Sequence, residues 1–276
     1  MNNDSLYILI ATVDNRAENL LNVLVEKEED VFYVITHQIL NELSLETKKV
    51  VSLLLDREDV TYLPLINIKG LSKNRNNSLD YVADGIALIM DDDIVFCENF
   101  VENIKHAFSL NPNTDVITFK TLSLLGEDYR IYPKISLVHS QKSITGVGSI
   151  EIAFKVTSIK KNNIRFDDNF GVGSMKYPVG EDYIFMVDIL KKNIKAMFLP
   201  IGIVKHPEMS TGLRFDKEII YGRGAVFARV FGIKSLLVDV FYAFKKYKFY
   251  KNNVNLFIYI YWMLSGSINY LKSRKG

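Results

Sequence analysis

The sequence predicts an α/β fold: a mainly parallel sheet with helices on both faces, followed by a helical C-terminal extension. Three observations predict it. Short apolar runs of strand length alternate with longer amphipathic stretches through the first 120 or so residues, as βαβ units require. The first of these runs is continuously apolar rather than alternating, the pattern of a strand covered on both faces. From about Asp216 onward no strand pattern remains, and the chain reads as one or two helices ending in "NYLKSRKG".

The elements follow in order. "LYILIA" (Leu6–Ala11) is a first buried strand. "TVDNRAENLLNVLVEKEED" reads as a turn and a helix with Leu20, Leu21, Leu24 and Val25 on one face. "VFYVIT" (Val31–Thr36) is a second strand, "ILNELSLETKKVVSLLLD" a helix, and "VTYLPL" a short third strand. "GLSKNRNNSLDYVAD" is polar but spaces Leu71, Leu79 and Val82 for a helix. "GIALIM" (Gly85–Met90) is a fourth strand, "CENFVENIKHAFSLN" an amphipathic helix, and "TDVITFK" a strand. From about Leu122 to Val204 the pattern loosens. Short strands are expected near "YRIYP", "SITGVG" and "EIAFKV", then a loop "RFDDNFGVGSMKYPVG", a helix "EDYIFMVDILKKN" and a strand near "KAMFLP".

Composition narrows the classes. With 276 residues, 48% hydrophobic and 24% charged, the chain is globular and not disordered. A net charge of +2 gives no case for nucleic acid, and no nucleic-acid partner is expected. The distribution says more. Lys234–Gly276 holds eight Lys or Arg against one Asp, a net of +7, so the rest of the chain carries −5. The same tail holds 11 of the 33 aromatic residues. A basic, aromatic tail points to an anionic partner, with peripheral contact to a membrane surface as the leading reading. Packing on the domain and homodimer formation are the alternatives. The apolar run Leu256–Ile268 is shorter than the roughly 20 residues of a spanning helix. Cys97 is the only cysteine, and the N-terminus lacks a basic region and a cleavage site. The expected location is therefore cytoplasmic, peripheral at the inner face of the cell membrane.

The chemistry-bearing residues gather where such a fold binds ligands, beyond the C-terminal ends of its strands. "GIALIMDDDIVF" ends a buried strand in Asp91, Asp92 and Asp93. Hard divalent cations, Mn²⁺ or Mg²⁺, prefer such carboxylates together with substrate phosphates. An acidic turn capping the next helix is the plain alternative. Upstream, "GLSKNRN" carries Ser72, Lys73, Arg75 and Asn76, whose two cations, Lys73 and Arg75, suit a diphosphate or a solvated helix face. "GVGSMKYPVGED" brings a Gly-rich approach to Glu181 and Asp182. These carboxylates either complement a helix N-terminus or supply a general base for a hydroxyl nucleophile. In "VKHPEMSTGLRF", His206 is a candidate metal ligand or phosphate contact, and Arg214 and Arg223 are weaker phosphate candidates.

The order of these motifs resembles the family 2 glycosyltransferases, nucleotide-sugar enzymes with a GT-A type, Rossmann-like fold. The pieces that carry the resemblance are "IATVDNRAENL", "GLSKNRNNSLDYVADGIALIMDDDIVF" and "IRFDDNFGVGSMKYPVGEDYIFMVDILKKN", within Leu6 to His206. It implies a glycosyltransferase domain over 1–215, with a donor half about 1–120 and an acceptor half about 121–215; the last 70 residues carry no such resemblance, and 216–276 is read from its own composition as a basic aromatic helical segment. The resemblance implies that Asp91 and Asp92 contact the donor ribose or sugar and that Asp93 binds the metal. Thr12 and Arg16 would border the base, and Arg75 would sit near the donor. Asp182 would be the general base, Glu181 its support, and His206 would lie near the metal or the leaving diphosphate. The implied reaction is inverting transfer of one sugar, from a UDP-sugar, to a hydroxyl of a glycan or lipid-linked precursor in surface polysaccharide or capsule synthesis. The chain departs from the family at Val13 and Asp14 after the first-strand threonine, and at Thr36, His37 and Gln38 where an acid is common. It has no QxxRW motif, which argues against a processive synthase. A sugar-phosphate nucleotidylyltransferase would need a Gly-rich first loop, and "ATVDNRAEN" has no glycine. A non-catalytic nucleotide- or glycan-binding module would not need both sets of carboxylates.

Overall fold

The computed structural model describes residues 5–207 and 215–274, so Arg214 lies outside the described residues. The chain groups into two compact units. One comprises residues up to Lys69, Lys73–Arg165 and from Phe185 to the end of the first described stretch. The other comprises Gly70–Ser72, Phe166–Ile184 and the C-terminal helices.

Among the described residues the first unit holds nine strands in one sheet. They are β1 (Leu6–Val13), β2 (Val31–Ile39), β3 (Val60–Ile66), β4 (Ile86–Asp91), β5 (Val95–Phe96), β6 (Val116–Leu122), β7 (Leu137–Val138), β8 (Ile152–Lys155) and β9 (Ala196–Lys205). Their order is β3-β2-β1-β4-β8-β6-β9-β5, with β7 added on β9. The strands β3, β2, β1 and β4 are mutually parallel, whereas β8 runs antiparallel to both β4 and β6. The chain leaves β1 in one direction for β2 and β3, then returns to its other side for β4. That reversal creates a crevice beyond the strand ends, where open α/β sheets bind ligands. Leu6, Ile8, Ile10, Tyr33, Ile35, Leu88 and Met90 belong to one continuous core, so the unbroken apolar runs reflect burial. Pro64 cannot donate to a ladder and sits on edge strand β3.

The helices are α1 (Leu20–Val23), α2 (Leu45–Leu55), α3 (Leu71–Tyr81), α4 (Phe100–Leu110), α5 (Val156–Lys161), α6 (Glu181–Lys191), α7 (Lys217–Phe231), α8 (Ser235–Tyr250) and α9 (Leu256–Ser273). The expected helix after β1 is a 3₁₀ turn, Asp14–Asn19, and a single α turn, because Leu24 is already extended (ψ 125°). Helix α2 begins later than its apolar pattern because Ser44 caps it, accepting from Thr47 N at 2.9 Å. Neither "YRIYP" nor "SITGVG" forms a strand. Tyr132 is held instead through its hydroxyl, which donates to Glu151 Oε1 at 2.5 Å and accepts from Thr121 N at 3.0 Å.

In the second unit the expected one or two C-terminal helices are three. Asp216 caps α7, accepting from Ile219 N at 3.0 Å, and Gly232 (φ 60°) separates α7 from the turn that leads to α8. Helices α7 and α9 cross at glycines. A Cβ on Gly266 would stand 2.8 Å from the Tyr221 carbonyl carbon, and one on Gly224 would stand 2.8 Å from that of Met263. Tyr250 and Tyr259 stack at 3.8 Å in the core between α8 and α9.

Candidate active site

The site in the first unit forms where β1 and β4 end side by side. Ala11 pairs with Asp91 in the parallel ladder, which brings Thr12 beside the aspartate turn. The chain then makes the two-residue strand β5. It pairs antiparallel with the end of β9, Val95 opposite Lys205 and Phe96 opposite Val204. This short pairing brings His206, the residue after β9, to Asp93, two residues before β5. His206 Nε2 lies 3.3 Å from Asp93 Oδ1.

The three aspartates have three different surroundings. Asp92 is 2% exposed and faces inward. Thr12 Oγ1 donates to its Oδ2 at 2.6 Å, and Arg16 Nε donates to Oδ1 and Oδ2 at 3.0 and 3.1 Å. Burial pushes the Asp92 carboxyl up, and the Arg16 guanidinium and Thr12 hydroxyl oppose that push. Asp91 and Asp93 keep 31% and 36% of their side chains exposed, so they are the open pair, two positions apart. Arg16 Nη2 also reaches Asp93 Oδ2 at 2.9 Å. Its bonds to Asp92 and Asp93 hold the guanidinium protonated. His206, together with Arg16, lowers the Asp93 carboxyl to about 2. The imidazole is raised in turn, first by Asp93. Its Nδ1 lies 2.6 Å from the Pro207 carbonyl, so both ring nitrogens face acceptors, which favours imidazolium.

Arg75 and Asp91, both read from sequence as donor-side residues, lie side by side. Arg75 is buried, and its Nη2 donates to Asp91 Oδ1 at 2.8 Å and to Ser149 Oγ at 2.7 Å. Two residues here were invisible to sequence reasoning. Ser149 sits in a 3₁₀ turn, Ser149–Glu151, just before β8, and Asn74 Nδ2 donates to the Thr12 carbonyl at 3.1 Å. Asn74 lies one residue before Arg75 in "SKNRN", and its regular spacing on a polar helix gave no sign that it faces inward. Glu151 is buried with Arg130 and Tyr132 as partners behind this turn. At the end of β2, His37 is fully buried. Its Nε2 meets the Asp14 carbonyl at 2.8 Å and its Nδ1 the Tyr62 hydroxyl at 2.7 Å. A carbonyl only accepts, so Nε2 carries the proton, and burial keeps the ring neutral. His37 therefore pins the turn after β1, where Asp14 adopts φ 46°.

Glu181 and Asp182 belong to the second unit, at the start of α6. The approach loop needs its glycines. Gly171 (φ 100°) has no room for a Cβ, which would stand 3.0 Å from Glu181 Cδ and 3.1 Å from Ser72 Oγ. Gly180 (φ 91°) precedes the helix, and its carbonyl accepts from Ile184 N at 3.0 Å. Ser72 Oγ donates to the Phe170 carbonyl at 2.7 Å, tying the start of α3 to this loop. Glu181 is buried and Asp182 half-buried. Arg223, a phosphate candidate by sequence, donates to the Tyr259 hydroxyl at 3.0 Å on α9.

Among the described residues no group of three His, Cys, Asp or Glu side chains is placed to hold a metal ion. The donors at the open end of the first-unit site are one carboxylate, Asp93, facing one imidazole, His206. Such a set fits a divalent cation that takes its remaining ligands from substrate phosphates and water, and the imidazole suits Mn²⁺ better than Mg²⁺.

No family model matches the sequence, and a comparison with curated proteins finds no match. Solved structures do match. Residues 1–349 of S. aureus TarS are similar over 97% of this chain and 89% of theirs, with a TM-score of 0.61 and 14% identity. The same TarS fragment in complex with UDP matches with 0.61 and 15% identity over 97% and 89%. In complex with UDP-GlcNAc it matches with 0.59 and 15% identity over 96% and 80%. At this identity the likeness is one of fold, and the fold is the GT-A type of α/β architecture that the sequence resemblance implied, followed by the C-terminal helices that the sequence pattern predicted.

Proposed function

We propose that the chain is a nucleotide-sugar glycosyltransferase that transfers one sugar to a hydroxyl of a surface glycan or lipid-linked glycan precursor, in the manner of the family 2 enzymes. One observation carries the reading. Two part-open carboxylates, Asp91 and Asp93, stand with His206 and the guanidiniums of Arg16 and Arg75 at the strand ends of a fold whose solved relatives hold UDP and UDP-GlcNAc. A UDP-sugar is the proposed donor.

The residues divide the work. Asp91 faces the donor ribose or sugar, oriented by Arg75. Asp92 is a positioning residue: buried between Thr12 and Arg16, it fixes the turn that presents its two neighbours. Asp93 and His206 would hold Mn²⁺ or Mg²⁺, with His206 as the neutral imidazole. The cation, when bound, neutralises charge that develops on the departing diphosphate. Arg16 and Arg75 add fixed positive charge at the same end of the sheet. Asp182 takes the proton from the acceptor hydroxyl as that oxygen bonds to the anomeric carbon and the carbon–phosphate oxygen bond breaks. Glu181 supports the acceptor or orients this base. A single displacement of this kind inverts the anomeric centre.

Asp182→Asn tests the base directly. The variant should lose transfer by at least about a hundredfold, the contribution of a positioned general base. UDP affinity should stay within about twofold of the parent. Normal transfer by Asp182→Asn would remove Asp182 from the mechanism.

A further inference from the structure

Helices α8 and α9 each have a buried face and, opposite it, an exposed apolar one. On α8, Ser235, Asp239, Ala243 and Tyr250 are buried, and their spacing puts them on one side of the helix. Leu237, Phe241 and Phe244 fall on the opposite side, and are 78%, 66% and 59% exposed. On α9, Tyr259, Met263, Gly266 and Tyr270 face inward. Phe257, Tyr261 and Ile268 face outward, 77%, 67% and 43% exposed. Single exposed apolar residues are ordinary, but an outward stripe on each of two successive helices marks an interaction surface.

The charge around these stripes selects the partner. Lys245, Lys246, Lys248 and Lys251 cluster toward the end of α8, and Lys272 and Arg274 end α9. No Asp or Glu follows Asp239 in the whole sequence. Lysine ammonium groups stand over an aromatic ring: Lys246 and Lys248 Nζ lie 5.2 and 4.9 Å from the Phe249 ring centre. A symmetric dimer through this surface would set like cations against each other, and lysine is depleted in protein interfaces. An anionic lipid surface takes both features, aromatic rings at headgroup level and lysine ammonium groups against phosphates. None of the described helices is long and apolar enough to cross a membrane.

We propose that the outward faces of α8 and α9 bind the headgroup layer of an anionic lipid bilayer, lying in the interface without crossing it. The proposal does not depend on the catalytic reading. The test is flotation of the full chain with phosphatidylcholine vesicles, with and without about 30% phosphatidylglycerol. The chain should float with the anionic vesicles and at least about tenfold less with neutral ones, and added salt should release it. Phe241→Ser with Phe244→Ser, and separately Lys245→Glu with Lys248→Glu, should each reduce binding by at least about tenfold. Unchanged melting and Trp262 fluorescence in the variants keep the comparison between folded proteins. No flotation, or equal flotation with neutral vesicles, overturns the proposal. So does a concentration-dependent dimer in sedimentation that the Phe241 and Phe244 changes abolish.

Discussion

Asp239 should make the helical unit lose stability as pH rises through the neutral range. Its side chain is fully buried. Ser267 Oγ lies 2.6 Å from Asp239 Oδ2 and 2.8 Å from the Gly224 carbonyl. A serine has one proton to give, and the carbonyl can only accept. If Ser267 donates to Gly224, the Asp239 carboxyl must be protonated to donate to Ser267. Among the described residues Asp239 Oδ1 has no hydrogen-bond partner, which an ionised carboxylate in that position would not tolerate. Burial raises this carboxyl to about 7. Tyr259 and Arg223, on the neighbouring helices, bond to each other. In the unfolded chain the group ionises near its ordinary value, so between about pH 4 and 7 the folded state binds one proton more. Stability from this group is then fully present below about pH 4 and is lost as pH rises to 7. Three pH units at 1.36 kcal/mol each give roughly 4 kcal/mol as the upper bound. Urea unfolding at pH 4.5, 6 and 7.5 measures it. Trp262, the single tryptophan, lies on α9 and reports this unit. Asp239→Asn should flatten the decline, and the difference between the two proteins isolates this group from the histidines. An identical pH dependence in both proteins would refute the reasoning, as would parent stability that climbs, relative to the variant, between pH 5 and 7.

Two further expectations concern packing and the site. Thr12→Val keeps the shape but removes one charge-assisted bond to buried Asp92, and should cost about 2 kcal/mol, or about 3 °C in melting temperature for a chain of this length. A loss below about 0.5 kcal/mol would show that Arg16 alone satisfies that carboxylate. Gly266→Ala drives a methyl group into the Tyr221 carbonyl and should destabilise the helical unit by about 3 kcal/mol, read by Trp262 fluorescence in urea. Ser265→Ala, its neighbour on the same helix, should stay near neutral.

The sequence shows the fold most clearly where one local pattern decides the element. Leu6–Ala11 and Gly85–Met90 read as buried strands because their whole apolar run is covered, and the aspartates then had to lie at a strand end. The reversal of strand order around β1 has no local signal, since it depends on which strands pair. The meeting of His206 with Asp93 depends on β5, a strand of two residues whose pairing with β9 no periodicity could announce. The same holds for Ser149 on Arg75, brought together across 74 positions by a 3₁₀ turn. "YRIYP" carries strand-forming residues, yet Tyr132 spends its hydroxyl on Glu151 and Thr121 and no ladder forms. The tail read as one or two helices because Gly232, which divides α7 from the turn before α8, sits inside a continuous apolar pattern. The buried setting of Asp92 was also hidden. Three equal letters in a row gave no reason to separate one inward carboxylate from two outward ones.

Asp91, Asp93 and His206 should together bind a nucleoside diphosphate with a divalent cation. A thermal-shift panel of nucleoside diphosphates and nucleotide sugars, each with Mn²⁺, Mg²⁺ or EDTA, tests this most directly, because a ligand that binds the folded state raises its stability by mass action. A metal-dependent rise in melting temperature is expected with UDP and with one UDP-sugar, and its loss in Asp93→Ala. No shift with any nucleotide, with or without metal, would contradict this assignment and leave the three aspartates as an acidic turn.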